Sequence, residues 1–458
     1  EGEPLTSDEL IAGLRAGIAS GEIVPILATA ALEQIAVSEL MDAIVDLLPS
    51  PDIAAARDDA PEIPEGAEAN LVFKTSADPF VGKLSYFRVY GVPFTGNSEH
   101  WNVNKETSER IGQVSSPKGK NSENADEIVF GDIGVISRLD VTGTGDTLTN
   151  SDSPVTLEGI DLPEPYYAMA ASPKTQADLD KMSDALSRLG EEDPSLSISR
   201  DPVTAETIIR GLGDVHVEIG IERVKRKFGV ALETSLPRIA YMETIGGSAR
   251  VEYRHKKQSG GHGQFGHVVI ELSPLTRGDG FVFDSKVVGG NVPREYIPAV
   301  EKGVVKSMEE GPVAGFPVVD VGVTLVDGSS HSVDSSGMAF EIAGGFALRQ
   351  GIPLARPVLL EPVMHLRIMT PDDLTGDIIS DLNTKRAQIL GMTPAANGHT
   401  IIESDAPLSM VQRYATDLRA ISAGRASFES TFIRYGEVPQ QEMDKVVQQY
   451  KKEEAVAT

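Results

Sequence analysis

One order of secondary-structure elements occurs twice in this chain and limits the folds open to it. Residues 161–236 are predicted as strand, helix, strand, strand, helix and strand, from their runs of β-branched residues, their helical apolar spacing and their Gly and Pro turns. The same order returns in residues 361–458, which end in one further helix. This is the split βαβ pattern of ferredoxin-like domains, so the chain contains at least two compact α+β units.

The other segments predict three further domains, as expected for 458 residues. Residues 1–68 contain two amphipathic helices around a short buried strand at Ile23–Leu27, which is typical of the end of an α/β domain. Residues 69–160 alternate short strands with turns, as in a small β-barrel, and their polar insert at 118–126 is predicted to be a mobile loop. Residues 237–360 predict an α/β domain. The predicted fold class is multidomain α+β.

Composition narrows the classes of function. The net charge is −27, and residues 1–70 hold fifteen Asp and Glu against two Arg, so the basic clusters lie further along the chain. DNA is therefore not an expected partner. The chain has no cysteine, which excludes disulfides and thiolate metal sites. It has neither a long apolar run nor a signal peptide, so we expect a cytoplasmic protein that does not enter membranes.

Two short stretches between residues 237 and 360 carry the functional signal, and we expect them to lie side by side. The first, Arg254–Val268, reads RHKKQSGGHGQFGHV, and the second, Asp327–Met338, reads DGSSHSVDSSGM. Glycines 261, 263 and 266 have G-x-G-x-x-G spacing and follow a basic run. Glycine allows backbone amides to approach phosphate closely.

The glycine spacing alone does not identify a nucleotide site. A dinucleotide fold needs a helix after the glycines, whereas Val268–Leu272 is predicted to be a strand. The spacing also matches the glycine-rich loop of protein kinases, but no V-A-I-K, H-R-D or D-F-G sequence follows. The first stretch is therefore predicted to be a hairpin with a basic stem and a glycine-rich tip.

Neither stretch predicts catalysis or metal binding. His331, Asp334 and Ser336 contain the residue types of a nucleophilic triad, but such close neighbours rarely reach triad geometry and no G-x-S-x-G elbow is present. Three histidines lie near the first stretch's glycines, without a carboxylate at metal-binding spacing. They are His255, His262 and His267. We predict no catalytic residue and no metal site.

Five runs of sequence together resemble one family. They are Asp78–Leu84 with Phe87–Tyr90, Gly211–Ile219, the two stretches above, and Gly376–Met392 with Tyr414–Arg419. With the order of the domains, they make residues 1 to about 440 similar to the C-terminal portion of elongation factor G, a translational GTPase, or of a divergent paralogue. Two positions depart from the family pattern, since His262 replaces a common Arg and Gly337 replaces a common Glu. Both departures remove charge.

The resemblance implies an assignment for each domain. Residues 1–68 would be the C-terminal remnant of the GTPase domain, 69–160 the translation-factor β-barrel and 161–236 a ferredoxin-like domain. Residues 237–360 would be the tip-loop α/β domain, with a ribosomal-protein-like fold. Residues 361–458 would be a second ferredoxin-like domain with the C-terminal helix.

The resemblance also implies GTP and Mg²⁺ as cofactors of the intact parent protein. The sequence contains no P-loop, no metal-binding Asp-x-x-Gly and no guanine-reading Asn-Lys-x-Asp. Thr29-Ala30 resembles only the last guanine-binding element. We therefore expect no cofactor, no GTP binding and no GTP hydrolysis for this chain alone.

By the same resemblance, the two stretches form a tip that binds RNA. The implied RNA-binding residues are Arg254, Lys256, Lys257, Gln258, Ser259, Gly260, Gly261, His262, Gly263, Gln264, His331, Val333, Asp334 and Ser335. The expected partner of this monomer is the ribosome, through rRNA and the tRNA–mRNA pair at the decoding site, and the expected role is translocation. The alternative is a recycling factor or a tetracycline-protection-like factor that binds the ribosome without translocating.

Overall fold

A computed structural model describes residues 6–56, 60–78, 81–119, 121–257 and 263–457, with side chains to residue 450. The chain forms two compact units. The first comprises Glu1–Pro163, Lys181–Pro194 and Arg223–Val230; the second comprises Glu164–Asp180, Ser195–Glu222 and Ala231–Thr458. None of the helices described is both long and apolar enough to cross a membrane.

The first unit begins with three helices that bury no residue. They are α1 (Ser7–Ala19), α2 (Val37–Leu47) and α3 (Pro51–Ala55). Thr6 and Glu9 form a capping box at the start of α1. The predicted buried strand at Ile23–Leu27 is wrong, because Val24 is 79% and Ile26 is 94% exposed and neither is in a strand. A strand needs a hydrogen-bonded neighbour, and no described segment pairs with this one.

An antiparallel sheet follows in the first unit. Its strands are β1 (Ala69–Asp78), β2 (Gly82–Val89), β3 (Phe94–Thr95), β4 (Ser98–Asn102), β5 (Thr107–Ile111), β6 (Val114–Lys118), β7 (Asn121–Ala125), β8 (Glu127–Ile128), β9 (Ile133–Ser137) and β10 (Thr147–Thr149). Eight strands have the order β5-β4-β10-β1-β2-β9-β6-β7, and β3 pairs with β8. One hydrophobic core includes residues of strands at or near both ends of this order, among them Ile111 of β5 and Val114 of β6. The predicted mobile loop at 118–126 is wrong, since β6 and β7 form a hairpin there.

The second unit begins with a four-stranded antiparallel sheet. It contains β11 (Tyr167–Pro173), α4 (Gln176–Glu192), β12 (Ser197–Arg200), β13 (Thr207–Gly211), α5 (Asp214–Phe228) and β14 (Leu232–Ser235). The strand order is β12-β13-β11-β14. The predicted ferredoxin-like order of elements is therefore confirmed here. Both helices start in the second unit and end in the first.

A second α/β layer carries the two stretches identified from the sequence. Its elements are β15 (Met242–Ile245), β16 (Ala249–Lys257), β17 (Gln264–Pro274), β18 (Phe281–Ser285), a 3-10 turn (Arg294–Tyr296), α6 (Ile297–Met308), β19 (Val321–Ser329) and α7 (Gly337–Leu354). The sheet order is β16-β17-β19-β18, with β18 parallel to β19. Val268 and Ile270 of β17 share a core with Phe340 and Leu348 of α7. One face of the sheet is thus covered by helix, and the hairpin β16–β17 is anchored in the core.

The C-terminal region repeats the ferredoxin-like order. It contains β20 (Pro357–Pro371), a 3-10 turn (Asp372–Leu374), α8 (Thr375–Thr384), β21 (Gln388–Ala395), β22 (His399–Pro407), α9 (Leu408–Val411), α10 (Tyr414–Ser422), β23 (Ser427–Glu437) and α11 (Gln440–Ala457). β20 pairs with β22 and β23, and its first residues pair with β15. The multidomain α+β class is confirmed.

Candidate nucleic-acid interface

The first stretch contributes two paired antiparallel strands, β16 and β17, one on each side of its glycine-rich segment. Lys257 of β16 faces Gln264 of β17 at the last paired position, so residues 258–263 connect the strands. This hairpin confirms the predicted strand–turn–strand arrangement. Five of the predicted RNA-binding residues in this turn lie outside the described residues. They are Gln258, Ser259, Gly260, Gly261 and His262.

The second stretch lies against the end of this hairpin, as predicted. Phe265 and Ser335 form a parallel bridge between the two. The N–H of Phe265 donates to the backbone oxygen of Asp334 at 2.8 Å. In return, the Ser335 hydroxyl donates to the backbone oxygen of Phe265 at 3.0 Å. The two stretches therefore form one joint surface, which we call the tip: residues 254–257, 263–267 and 331–335.

Two glycines of the spacing motif are explained by this close packing. A Cβ at Gly263 would lie 3.0 Å from Cγ of Asp334, and one at Gly266 would lie 2.6 Å from the backbone oxygen of Ala339 in α7. Gly263 also donates its N–H to Oδ1 of Asp334 at 3.0 Å. The expectation that this amide is free to approach phosphate is wrong, because a carboxylate of the same chain already occupies it.

His331 organises the turn of the second stretch. Its backbone N–H donates to the Ser335 hydroxyl oxygen at 2.8 Å. Its ring Nδ1 accepts the N–H groups of Val333 and Asp334 at 3.3 and 3.2 Å. In this geometry Nδ1 of His331 acts as a hydrogen-bond acceptor. Ser336 caps α7 by accepting the N–H of Ala339, which is a structural role rather than that of a nucleophile.

The tip presents cations along the stem and neutral groups at the second turn. Arg254, Lys256 and Lys257 are exposed; Arg254 approaches Glu252 at 3.9 Å, while the two lysines have no ion-pair partner among the described residues. At the turn, the side chain of His331 is 52% exposed and Val333 is 61% exposed. Cationic side chains of this kind provide phosphate contacts, whereas neutral groups contact sugar and base edges.

The tip histidines do not converge on one point. Arg254 pairs directly with His267 across the hairpin, so His255, the next residue, lies on the opposite face of the sheet. His255 Nε2 lies 3.0 Å from Oε1 of Gln264, and His267 Nδ1 lies 2.9 Å from the Ser329 hydroxyl. Within the described parts of the chain, no group of three metal-ligating side chains occurs. Each described histidine has a local partner.

The second stretch also contains an ionised carboxylate. The side-chain amide of Asn291 donates to Oδ1 of Asp327 at 2.9 Å, and the N–H of Gly328 donates to the same oxygen at 2.8 Å. These bonds, the Asn291 bond first, lower the pKa of Asp327. Asp327 faces Val269, two pairs along the ladder from His267 and Ser329. Negative charge therefore begins just below the basic stem.

The two predicted guanine-loop residues lie in the first unit. Ala30 forms an isolated antiparallel bridge with Ile35, through two backbone hydrogen bonds of 3.1 Å. Thr29, beside it, is exposed. The bridge closes a short turn, and the guanine-loop role of these residues stays a prediction.

One polar constellation in the first unit was not predicted from the sequence. His100, 6% exposed, has Nε2 at 2.7 Å from the Ser98 hydroxyl and Nδ1 at 2.6 Å from Oε1 of Glu68. A backbone oxygen, that of Thr95, lies 3.0 Å from the same hydroxyl. An oxyanion site requires hydrogen-bond donors, and here the neighbours are acceptors. This arrangement therefore stabilises the sheet near its edge. In the sequence, the feature that could have indicated it is a Ser and a His two residues apart on one strand.

Two of the four cations in the basic run at the end of α5, Arg223 and Lys227, are paired locally, whereas Lys225 and Arg226 are exposed. Lys227 Nζ lies 2.8 Å from both carboxylate oxygens of Glu192, and Arg223 approaches Glu192 at 3.8 Å. Such pairs join α5 to the end of α4 within the first unit. The tip stem differs from this run because its exposed lysines, Lys256 and Lys257, lie in the hairpin that the second stretch contacts.

Four sequence-family models match successive parts of the chain. They are described as Elongation factor G domain 2 (residues 68–151), Elongation Factor G, domain III (162–236), Elongation factor G, domain IV (237–356) and Elongation factor G C-terminus (358–446). A crystallised protein of Thermus thermophilus has a similar structure, with a TM-score of 0.76 and 30% sequence identity. The match covers 98% of this chain and 66% of that chain, so the protein described here spans less than two thirds of its relative's length.

Proposed function

The chain belongs to the elongation factor G family, and from this premise we propose that it is the ribosome-binding portion of a translational GTPase that promotes tRNA–mRNA translocation. The observation that carries the proposal is the joining of two distant stretches into one tip by the Phe265–Ser335 bridge. An exposed basic stem beside a neutral turn suits contact with folded RNA. The proposed RNA-binding residues are those named above for the two stretches, except Gly263 and Asp334, which bond each other.

In this proposal the basic stem supplies most of the salt-dependent affinity. Arg254, Lys256 and Lys257 would contact phosphates of rRNA, or of the tRNA–mRNA pair at the decoding site. Each phosphate contact releases condensed counterions, so affinity falls with salt in proportion to the number of contacts. The turn, with its exposed Val333, adds contacts that depend less on salt.

Ribosome co-sedimentation across a salt series tests whether the basic stem supplies the salt-dependent part of the affinity. Replacing Lys256 and Lys257 by Gln is expected to flatten the slope of log affinity against log salt by about 1.4 to 1.8. The matched control replaces two other exposed lysines of the same domain, Lys302 and Lys306 on α6, and leaves the slope unchanged. Equal effects of both pairs, or no pelleting of the chain at any salt, would argue against a ribosome-binding tip.

We also propose that GTP and Mg²⁺ are cofactors of the intact parent protein and that this chain binds neither. The proposal rests on the sequence, which contains no P-loop to hold the phosphates. Isothermal titration of the chain with GTP is expected to give no heat of binding. A micromolar dissociation constant would contradict this part of the proposal.

The second candidate is a ribosome-binding factor that does not translocate, such as a recycling or tetracycline-protection-like factor. The uncharged Gly337 at the first residue of α7 favours this candidate, because the family often has Glu there. Assays on the full-length parent separate the two. Translocation predicts faster single-turnover tRNA movement, whereas recycling predicts faster subunit splitting with the recycling factor and unchanged tRNA movement.

A further inference from the structure

We propose that Asp334 is a positioning residue, which holds Gly263 and the first residues of β17 in place instead of contacting RNA itself. The expected effect on ribosome affinity rests on the proposed function. The hydrogen bonds that Asp334 makes within the chain do not depend on it. It differs from the expectation from sequence, which placed Asp334 among the residues that contact RNA.

Asp334 holds the hairpin through two of its own groups. Side-chain Oδ1 accepts the N–H of Gly263 at 3.0 Å, and its backbone oxygen accepts the N–H of Phe265 at 2.8 Å. These bonds fix residues on either side of Gln264, which is where the loop enters β17. One residue of the second stretch thus determines the conformation of the loop end, 71 positions away in sequence.

Space at the contact shows that the carboxylate faces the hairpin. A Cβ on residue 263 would lie 3.0 to 3.2 Å from Cγ, Oδ2 and Oδ1 of Asp334, so a larger residue there requires the carboxylate to move by a few tenths of an ångström. Oδ2 lies 3.4 Å from Nδ1 of His331, which accepts backbone N–H groups in this turn. The Asp334 side chain is one-quarter exposed. A carboxylate placed this way repels phosphate and is suited to holding a loop.

Ser335 fastens the same turn from its other side. The Ser335 hydroxyl accepts a hydrogen bond from the N–H of His331 at 2.8 Å and donates one to the backbone oxygen of Phe265 at 3.0 Å. The next residue, Ser336, caps α7, whose side chains Ala339 and Phe340 are fully buried. The turn is therefore supported by the domain core, and its hydrogen bonds hold Gly263 and Phe265 in place.

Holding the loop end has a direct effect on affinity. Glycine loses more conformational freedom on ordering than any other residue, so a glycine-rich loop binds weakly unless part of it is ordered in advance. Loss of one hydrogen bond to a charged group corresponds to about tenfold in an equilibrium constant. We therefore expect Asp334→Ala to weaken ribosome binding about tenfold.

The conservative variant separates positioning from direct contact. Asp334→Asn keeps a side-chain oxygen that accepts the N–H of Gly263 but removes the charge. Binding within about twofold of wild type is expected for Asn, and about tenfold weaker binding for Ala. If Asn is as weak as Ala, the charge itself contacts the partner and the positioning role is wrong.

Hydrogen exchange of the ribosome-free chain tests the structural part independently. The amides of residues 263–265 are expected to exchange about tenfold faster in Asp334→Ala and at the wild-type rate in Asp334→Asn. Asp327→Ala is the matched control, because Asp327 bonds Asn291 and not the hairpin, and it should leave these amides unchanged. Unchanged exchange in Asp334→Ala would overturn the proposal.

A double-mutant cycle completes the test. Gly263→Ala should displace the Asp334 carboxylate, so it disrupts the same contact as Asp334→Ala. The double variant should therefore bind ribosomes about as well as whichever single variant binds them less tightly. Additive losses would mean that the two residues act separately. If wild type itself does not pellet with ribosomes, the proposed function fails, while the exchange pattern still decides the role of Asp334.

Discussion

Gly303 of α6 packs directly against the backbone of Glu341 in α7, where a Cβ at residue 303 would lie 1.9 Å from the Glu341 carbonyl oxygen. Gly303→Ala must therefore separate the two helices that cover the tip domain. We expect a loss of about 1–3 kcal/mol in the free energy of unfolding. Urea denaturation followed by circular dichroism measures it.

The control for this variant is Gly337→Ala. A Cβ at residue 337 meets only Ala299, at an ordinary 3.8 Å, and the position begins α7. Since alanine is the better helix former, this variant should be neutral or slightly more stable. Equal destabilisation by the two substitutions would show that close helix packing is not the cause.

Glu109 stabilises the sheet of the first unit in a pH-dependent way. Its carboxylate is buried and accepts the N–H groups of Val141 and Thr142 at 3.0 and 3.1 Å, as well as that of Asp140 and the Thr142 hydroxyl. Burial raises the pKa of Glu109, but these hydrogen bonds outweigh burial and the net pKa is lowered from 4.5. The stabilisation is therefore present above pH 4.5 and is lost as the pH falls through the folded-state pKa.

We expect Glu109→Gln to lose about 1–3 kcal/mol of unfolding free energy at pH 7, with the difference from wild type shrinking below pH 4.5. Trp101 is the single tryptophan, and it pairs with Ser108 next to Glu109, so its fluorescence reports on this sheet. Urea denaturation at a series of pH values gives the comparison. A difference that stays constant down to pH 3 would rule out linkage to this carboxylate.

Local sequence signals predicted the hairpin and both ferredoxin-like orders because these depend on short-range periodicity and turn residues. The same signals failed where the outcome depends on a distant partner. Ile23–Leu27 has strand composition, but nothing described pairs with it, and Val114–Ala125 forms a hairpin although its polar residues lack apolar alternation.

The tip shows the same division between local and distant information. Its two stretches were recognisable by composition, but the contact of Gly263 with Asp334 joins residues 71 positions apart and has no local signature. The glycine spacing predicted phosphate contact, whereas two of its glycines pack closely against the chain itself, Gly263 against Asp334 and Gly266 against Ala339. A single sequence does not distinguish a glycine that makes room for a ligand from one that makes room for its own chain.

Glu243 behaves in the opposite way to Glu109. It is 1% exposed and accepts the N–H groups of Ala314, Val313 and Phe316 at 2.7, 3.1 and 3.3 Å. Burial raises the pKa of Glu243 above 4.5 in spite of these bonds. Its folded-state pKa is the higher one, so its contribution to stability is complete below pH 4.5 and is lost as the pH rises through the folded-state pKa.

The Gln side chain of Glu243→Gln does not titrate. The free energy of unfolding of this variant, relative to that of wild type, should therefore increase as the pH rises from 4.5, by up to about 1.4 kcal/mol per pH unit. It should become constant above the folded-state pKa of Glu243. The measurement is urea denaturation followed by circular dichroism at each pH. Hydrogen exchange in residues 311–316 locates the effect, because this is the loop that the carboxylate holds. A relative stability that does not change with pH would show that the pKa of Glu243 is unshifted.

Adding positive charge at the tip should strengthen ribosome binding. His262, in the glycine-rich turn, and Gly337, at the first residue of α7, stand where the family commonly has charged side chains, and Gly337 has room for one. An added Arg that contacts one phosphate increases the salt slope of binding by about 0.7 to 0.9. At Gly337 the helix dipole opposes a cation, at a cost of about 0.3–1 kcal/mol.

We therefore expect His262→Arg to give the larger gain in affinity at low salt and Gly337→Arg the smaller one, with Gly337→Ala as the uncharged control. Co-sedimentation with ribosomes at two salt concentrations measures both the affinity and its slope. An unchanged slope in both Arg variants would mean that neither position meets a phosphate. The basic stem would then be the whole electrostatic contact, and the neutral turn around His331 would bind through groups other than phosphate.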